Sequence, residues 1–315
     1  MTTQAHRAVV LAAAGGRRRR GHFGAWRAVA ALPSVVGGVL LMFVVTGGLG
    51  AWQGPVLLLW LSAGVAVCSR PGERLVVRAI GFRRLSKGQW AVLGPVIKAA
   101  VARCGGPARQ IDWYVRAGGQ PNACVLGRRS VAVTDGALQG FLAGRLTHDQ
   151  FVAVLLHEVG HRVTNATSFC LATWWLASPG RVGFRLVLAA AMALSGQRRL
   201  GWGSRMVAVV AGGIAGFQAV EHGQGVATVM LTGLAAALVG TPVADAAMSR
   251  AAERAADRFA ASVGAGADLA SALVAMGANS PAASRWGLRL LDGHPSTTSR
   301  IEALTCCPEP PRSSR

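Results

Sequence analysis

Leu155-Leu156-His157-Glu158-Val159-Gly160-His161 sets two histidines four residues apart in an apolar run, with a glutamate directly after the first. On an α-helix the two imidazoles stand one turn apart on one face, so both can reach a single ion at about 2.0 Å. Glu158 projects beside them, where it can take a proton from a metal-activated water and later deliver it to a leaving amine. A five-residue pattern of this kind also arises by chance, and two histidines so spaced can be satisfied core residues. The flanking residues bear on that choice. Asp149 to Arg162 keeps helical spacing through Phe151, Val154, Leu155 and Val159, and Thr147 or Asp149 can cap its start.

A catalytic zinc takes three protein ligands and leaves one position open, so a third ligand must come from elsewhere in the chain. Glu253 is the leading candidate, since Ala246 to Val263 reads as an Ala-rich helix that follows an apolar stretch. Asp257, one turn further on, can accept a hydrogen bond from a ligating histidine. The same two acids also read as surface partners of Arg254 and Arg258, and Asp245 is a second candidate ligand. One Zn2+ per chain is the expected cofactor.

Composition points to a bilayer. Of 315 residues, 52% are hydrophobic and only 15% charged, unusually apolar for a soluble chain of this length. Lys plus Arg is 33 against 13 Asp plus Glu, a net charge of +20. The basic residues flank apolar runs with few aromatics among them, which fits anionic lipid and gives no reason to expect a specific nucleic acid partner. Cys68, Cys104, Cys124, Cys170, Cys306 and Cys307 show neither zinc-ribbon spacing nor a disulfide framework, and fit a reducing compartment.

The chain divides by charge. Residues 1–27 form a basic tail with Arg17 to Arg20, and the apolar run after it is far too long for a cleaved signal peptide. Residues 28–69 form an apolar hairpin: no charge falls between Ala28 and Ser69, and Gly47-Gly48-Leu49-Gly50 can turn between two spans of about 20 residues. A buried helical hairpin of a soluble protein would read the same way. Residues 70–162 carry the first part of a catalytic domain, and 163–205 an interfacial, re-entrant or membrane segment. A second apolar hairpin over 206–244 turns at Glu221-His222-Gly223-Gln224-Gly225; 245–304 complete the catalytic domain and 305–315 are a flexible tail. Arg17 to Arg20 on one side and Arg70, Arg74, Arg78, Arg83, Arg84 and Lys87 on the other place both termini and the catalytic domain in the cytoplasm of a multi-pass cell-membrane protein.

Within the catalytic part, Trp90 to Arg103 reads as an amphipathic helix, and residues 111–115 and 130–134 have strand composition. Asn122 to Gly127, Val131 to Leu138, Phe151 to His161, Glu253 to Asp257, and His294-Pro295 with Arg300-Ile301 then follow in the order of the signatures of the M48 metallopeptidases. The chain resembles that family of zinc metallopeptidases, most closely its membrane-embedded HtpX-like branch. The resemblance implies an α-helical integral membrane protein with a mainly helical zincin-type metalloprotease domain carrying a small β-sheet. It implies Glu253 as the third zinc ligand and an extended strand at Asn122, Ala123 and Cys124 that binds substrate backbone, with Cys124 where the family more usually has an aromatic residue. His294 and Arg300 are implied as catalytic support, donating toward a developing oxyanion or holding the acidic residues in place.

The function expected is a membrane-anchored zinc endopeptidase acting on membrane or misfolded polypeptides from the cytosolic side, in protein quality control. Two other classes compete with it: a catalytically silent, zinc-stabilised membrane scaffold, and a basic protein that binds anionic lipid or nucleic acid. Glu158 speaks against the scaffold, because a purely structural zinc site has no use for a general base.

Overall fold

The computed structural model describes residues 29–32, 34–105, 110–166, 171–180, 182, 213–214, 216–276 and 295–306. The tail 1–27, most of 163–205, Cys170, residues 206–212, His294, Cys307 and the rest of the C-terminal tail lie outside the described residues. Two compact units emerge, the first holding residues 70–170 and those from 248 on, the second holding 27–69 and 171–247.

The first unit is built on a four-stranded mixed sheet of order β1-β2-β4-β3. Its strands are β1 (Phe82–Arg84), β2 (Asp112–Arg116), β3 (Ala123–Leu126) and β4 (Ser130–Thr134). β2 and β4 run parallel, while β1 joins β2 and β3 joins β4 antiparallel. Side chains alternate between two faces, as the pleat demands. Val115, Ala123, Val131 and Val133 turn to the larger core, and Tyr114, Ala132, Cys124 and Leu126 to a smaller one with Val77 and Phe82. The smaller face is covered by α3 (Arg70–Ala79), which carries Val77 and is pinned to β2 by salt bridges from Arg70 and Arg74 to Asp112.

The larger face receives the helix of the histidine motif. It is α6 (His148–Val163), packed against β3, α4 (Lys87–Cys104) and α10 (Gly266–Ala275). Thr147 caps it, its hydroxyl accepting from the Gln150 N–H while the Gln150 side chain accepts from the Thr147 N–H. The apolar stripe expected from Phe151, Val154, Leu155 and Val159 is too narrow a description. Val152, Ala153 and Leu156 are also fully buried, so the helix is apolar all round over those turns and runs through the middle of the unit. Between β4 and α6 lies the short α5 (Asp135–Leu142).

In the second unit, helix α1 (residues 29–46) and α2 (Gln53–Cys68) are separated by a 3₁₀ turn, Gly47–Trp52. Gly50 there has φ 55° and ψ −125°, outside the helical region. The Gln53 side chain donates to the Phe43 carbonyl, ten residues back, at 2.9 Å. In a straight helix those residues would stand about 15 Å apart along the axis, so the helical stretch bends sharply at the glycines. Helix α7 (residues 171–180) lies against this pair: Trp175 Nε1 donates to the Trp60 carbonyl at 2.9 Å, and a Cβ on Gly64 would stand 2.7 Å from Trp175 Cδ1. Helix α8 (residues 216–221) ends in a turn whose Gly223 has φ +68°.

Among the described residues, one helical stretch is long and apolar enough to cross a bilayer, Val29–Cys68. The expected boundary at 244 and 245 lies inside a helix, three residues before the division between the two compact units. Helix α9 (Gly225–Ser262) runs through it without interruption, with Pro242 inside its span. The remaining helix, α11 (Thr297–Thr305), is capped by the Ser296 hydroxyl, which accepts from the Ser299 N–H. Among the described residues, Cys124 and Cys306 are free thiols, while Cys104 Sγ donates to the Ala100 carbonyl.

Candidate metal centre

His157 and His161 leave α6 toward the C-terminal part of α9, where Glu253 meets both. His157 Nε2 lies 3.4 Å from Glu253 Oε2, and His161 Nε2 lies 3.5 Å from Glu253 Oε1. Ligand atoms about 2.1 Å from one tetrahedral zinc are about 3.4 Å apart, so these separations fit the donors of a single ion. The three ligand atoms fall within 4.8 Å of one another, the group expected for one Zn2+ per chain.

The alternative for the two acids is decided by burial. Glu253 and Asp257 are 7% and 4% exposed, while Arg254 and Arg258 on the same helix face solvent. Asp245 is exposed and stands outside the cluster. Asp257 Oδ1 lies 2.9 Å from His157 Nδ1, which puts a proton on that nitrogen and turns Nε2 toward Glu253.

Two helices meet this closely because of Gly160. A Cβ there would stand 2.9 Å from Ala256 Cα, 3.0 Å from the Ala256 carbonyl oxygen and 3.1 Å from Phe259 Cδ1. Backbone therefore packs against backbone at the residue before Asp257 and three residues after Glu253. Sequence reading missed this residue, although a glycine inside the motif helix and the small Ala256 opposite it were the available signals.

Arg300, on α11, completes the acidic side. Its Nε and Nη2 donate to the two Asp257 carboxylate oxygens at 2.9 and 2.7 Å, and its Nη1 lies 3.2 Å from Glu253 Oε2. Such a fork is stronger and more directional than a single bond. Burial pushes the Asp257 carboxyl up, but the bonds from His157 and Arg300 hold it below its ordinary value. For His157, burial opposes the charged form. Hydrogen bonds to Asp257 and Glu253 and the charge of Glu158 outweigh it and carry the pKa up to about 9. To hold a metal, His157 would have to give up the proton on its Nε2.

Glu158 is 7% exposed and makes no hydrogen bond or ion pair among the described residues. Its charge, after burial itself, helps push the Cys124 thiol up. The Cys124 side chain packs against the smaller core, on the face of β3 that also carries Leu126.

Asn122, Ala123 and Cys124 lie at the start of β3, which has β4 on one side and no strand on the other among the described residues. The Thr134 N–H donates to the Asn122 carbonyl at 2.9 Å, so alternation along the ladder turns the polar backbone groups of Ala123 and Val125 to the open edge. The Ala123 N–H is taken by Asn122 Oδ1 at 2.9 Å. Among the described residues, the Ala123 carbonyl and both backbone groups of Val125 have no backbone partner.

These contacts set an order of effects for substitution. Glu253→Ala is expected to lower zinc stoichiometry and proteolysis together. Asp257→Asn should weaken zinc by about 10- to 100-fold, the usual cost of losing a partner behind a ligating histidine. Metal analysis and isothermal titration on the purified variants check both, and full zinc occupancy in Glu253→Ala would remove it from the ligand set.

The profile of peptidase family M48 matches residues 91–307, a span that contains both histidines, Glu158, Glu253, Asp257 and Arg300. No curated protein matches the chain.

Proposed function

Because the chain belongs to peptidase family M48, we propose that it is a membrane-anchored zinc endopeptidase that hydrolyses peptide bonds of membrane or misfolded proteins on the cytosolic side, in protein quality control. The observation that carries the chemistry is the buried Glu158 carboxylate, without a hydrogen-bond partner among the described residues, beside three convergent metal-ligand atoms. His157, His161 and Glu253 would hold the zinc. When bound, the ion supplies the Lewis acidity that lowers the pKa of a water and polarises a peptide carbonyl. Glu158 accepts the proton released there and returns it to the leaving amine. Asp257 keeps His157 in the ligating tautomer, and Arg300 keeps Asp257 and Glu253 in place, which favours the second of the two roles expected for it.

Substrate capture follows from the open edge of β3. An extended chain can pair with the Ala123 carbonyl and with both backbone groups of Val125, and such bonds do not depend on side-chain identity. That suits a peptidase of unfolded polypeptide. The test is cleavage of casein by the detergent-purified chain. Phenanthroline should abolish it and one equivalent of zinc should restore it. Cleavage indifferent to chelation would overturn the metal's role, and a zinc-loaded chain that cuts no unfolded protein would favour the scaffold.

Membrane anchoring is supported by the exposure of the apolar stretch: only 18% of its most apolar window is buried, and Leu58, Leu59 and Val65 are 67%, 72% and 76% exposed. A core helix of a soluble protein would be covered. With both outer ends of each hairpin cytoplasmic by the flanking arginines, an impermeant maleimide added to intact cells should label cysteines introduced at Gly48 and Gln224. It should miss one introduced at the exposed Arg128. Labelling at Arg128 would reverse the topology.

A further inference from the structure

Glu73 is an acid with no place in the chemistry described so far, yet it is only 3% exposed. It sits on α3, the helix that starts at Arg70, with Ser69 alone between it and the apolar α2. Its carboxylate reaches under the turn between β3 and β4. Oε2 accepts from the Arg128 N–H at 3.1 Å, and Oε1 accepts from the Arg129 N–H at 2.9 Å and from the Ser130 hydroxyl at 2.7 Å. Consecutive backbone N–H groups that converge on one anion form a nest, and here the anion is a side chain of the protein itself. Gly127 makes room for it. Its φ is +63°, and a Cβ there would stand 2.7 Å from Glu73 Cδ.

A buried charge is retained at a turn only if the bonds made there outweigh its desolvation. Here three donors from consecutive residues do so, and they belong to the hairpin whose first strand is β3. β3 is short and at an edge, with β4 as its one strand partner among the described residues. Its position along α6 thus depends heavily on how its C-terminal turn is held. α3 is itself pinned to β2 by Arg70 and Arg74 on Asp112, so the carboxylate ties the turn to the body of the sheet.

We propose that Glu73 is a positioning residue for substrate capture: by holding the β3–β4 turn it sets where the open edge of β3 lies beside the metal ligands. The proposal rests on the reading of β3 as the strand that receives substrate. It predicts a defect confined to substrates long enough to pair with Val125. A reporter that spans only the scissile bond and one residue on either side should be indifferent to the change.

The experiment uses the full-length protein in detergent, comparing wild type with Glu73→Gln and Gly127→Ala, the second of which crowds the carboxylate from the turn side. Each is assayed for zinc content and for kcat and KM on the short reporter and on a ten-residue unfolded peptide. Both variants should keep wild-type zinc and wild-type kinetics on the short reporter. Their KM for the long peptide should rise about tenfold, the scale expected for the loss of charge-assisted bonds. Ser130→Ala, which removes one of the three bonds, should give a smaller shift of the same kind. Hydrogen exchange at residues 123–126 of each variant should be faster than in the wild type.

Unchanged KM on the long peptide with unchanged exchange in Glu73→Gln would overturn the proposal, as would equal losses on both substrates. If Glu73→Gln fails to fold, Ser130→Ala decides by the same two readings. If the wild type binds zinc and cleaves neither substrate, it is the peptidase reading that fails, while the exchange data still report on the turn.

Discussion

Glu158→Gln is expected to lower turnover on casein by about 10³-fold or more while zinc stays near one per chain. General acid and base catalysis by one side chain contributes about 10²- to 10⁴-fold, and here one carboxylate is asked to serve twice, first as acceptor and then as donor. The substitution is unusually clean at this position. Glu158 makes no hydrogen bond among the described residues, so the amide breaks no bond in the resting protein. Its size is unchanged within the buried surroundings of α6, and His157, His161 and Glu253 keep their contacts with one another. Metal analysis beside single-turnover cleavage separates the two effects. Wild-type turnover in Glu158→Gln would remove it as the base, and loss of zinc would show that it acts through the metal site.

Gly160→Ala is expected to do comparable damage by another route. The added methyl meets Ala256 Cα at 2.9 Å and the Ala256 carbonyl oxygen at 3.0 Å, so α6 and α9 must separate. Overpacking of this kind costs about 1–3 kcal/mol in stability. The larger consequence is at the metal. Glu253 and Asp257 flank the crossing on one helix, and His157 and His161 flank it on the other, so a shift of the crossing pulls two ligands from the third. A displacement of about 1 Å at a catalytic constellation can cost about 100-fold in rate. Zinc affinity and kcat should both fall, and thermal unfolding in detergent should move to lower temperature. Ala256→Gly should give no rescue, since the Ala256 atoms that crowd the methyl are backbone and the remaining one belongs to Phe259. A Gly160→Ala protein with full zinc and normal turnover would show that the crossing has slack.

What local sequence determined here is whatever depends on periodicity and residue type over a few turns. The helix spacing around His157 and His161, the cap at Thr147, the strand at 130–134 and the glycine turns at 47–50 and 223 follow from local conformational preference, and the described structure has each of them. The chemical identity of the metal site was also legible, because a glutamate between two histidines one turn apart has few other uses. The parts that required the fold are those joining residues distant in sequence. Ninety-two residues separate His161 from Glu253, and nothing local distinguishes Glu253 from a surface acid beside Arg254. Only the approach of α9 to α6 at Gly160 buries it and its neighbour Asp257. Arg300 was placed by family resemblance alone, and its fork onto Asp257 exists because α11 delivers it there. Glu73 gave no signal at all. In sequence it is a charge among arginines, and its bonds come from a turn 55 residues away whose N–H groups converge on its carboxylate. Tertiary structure decides such cases because burial and the pairing of a charge are properties of a neighbourhood, and a neighbourhood is assembled only when separate elements pack.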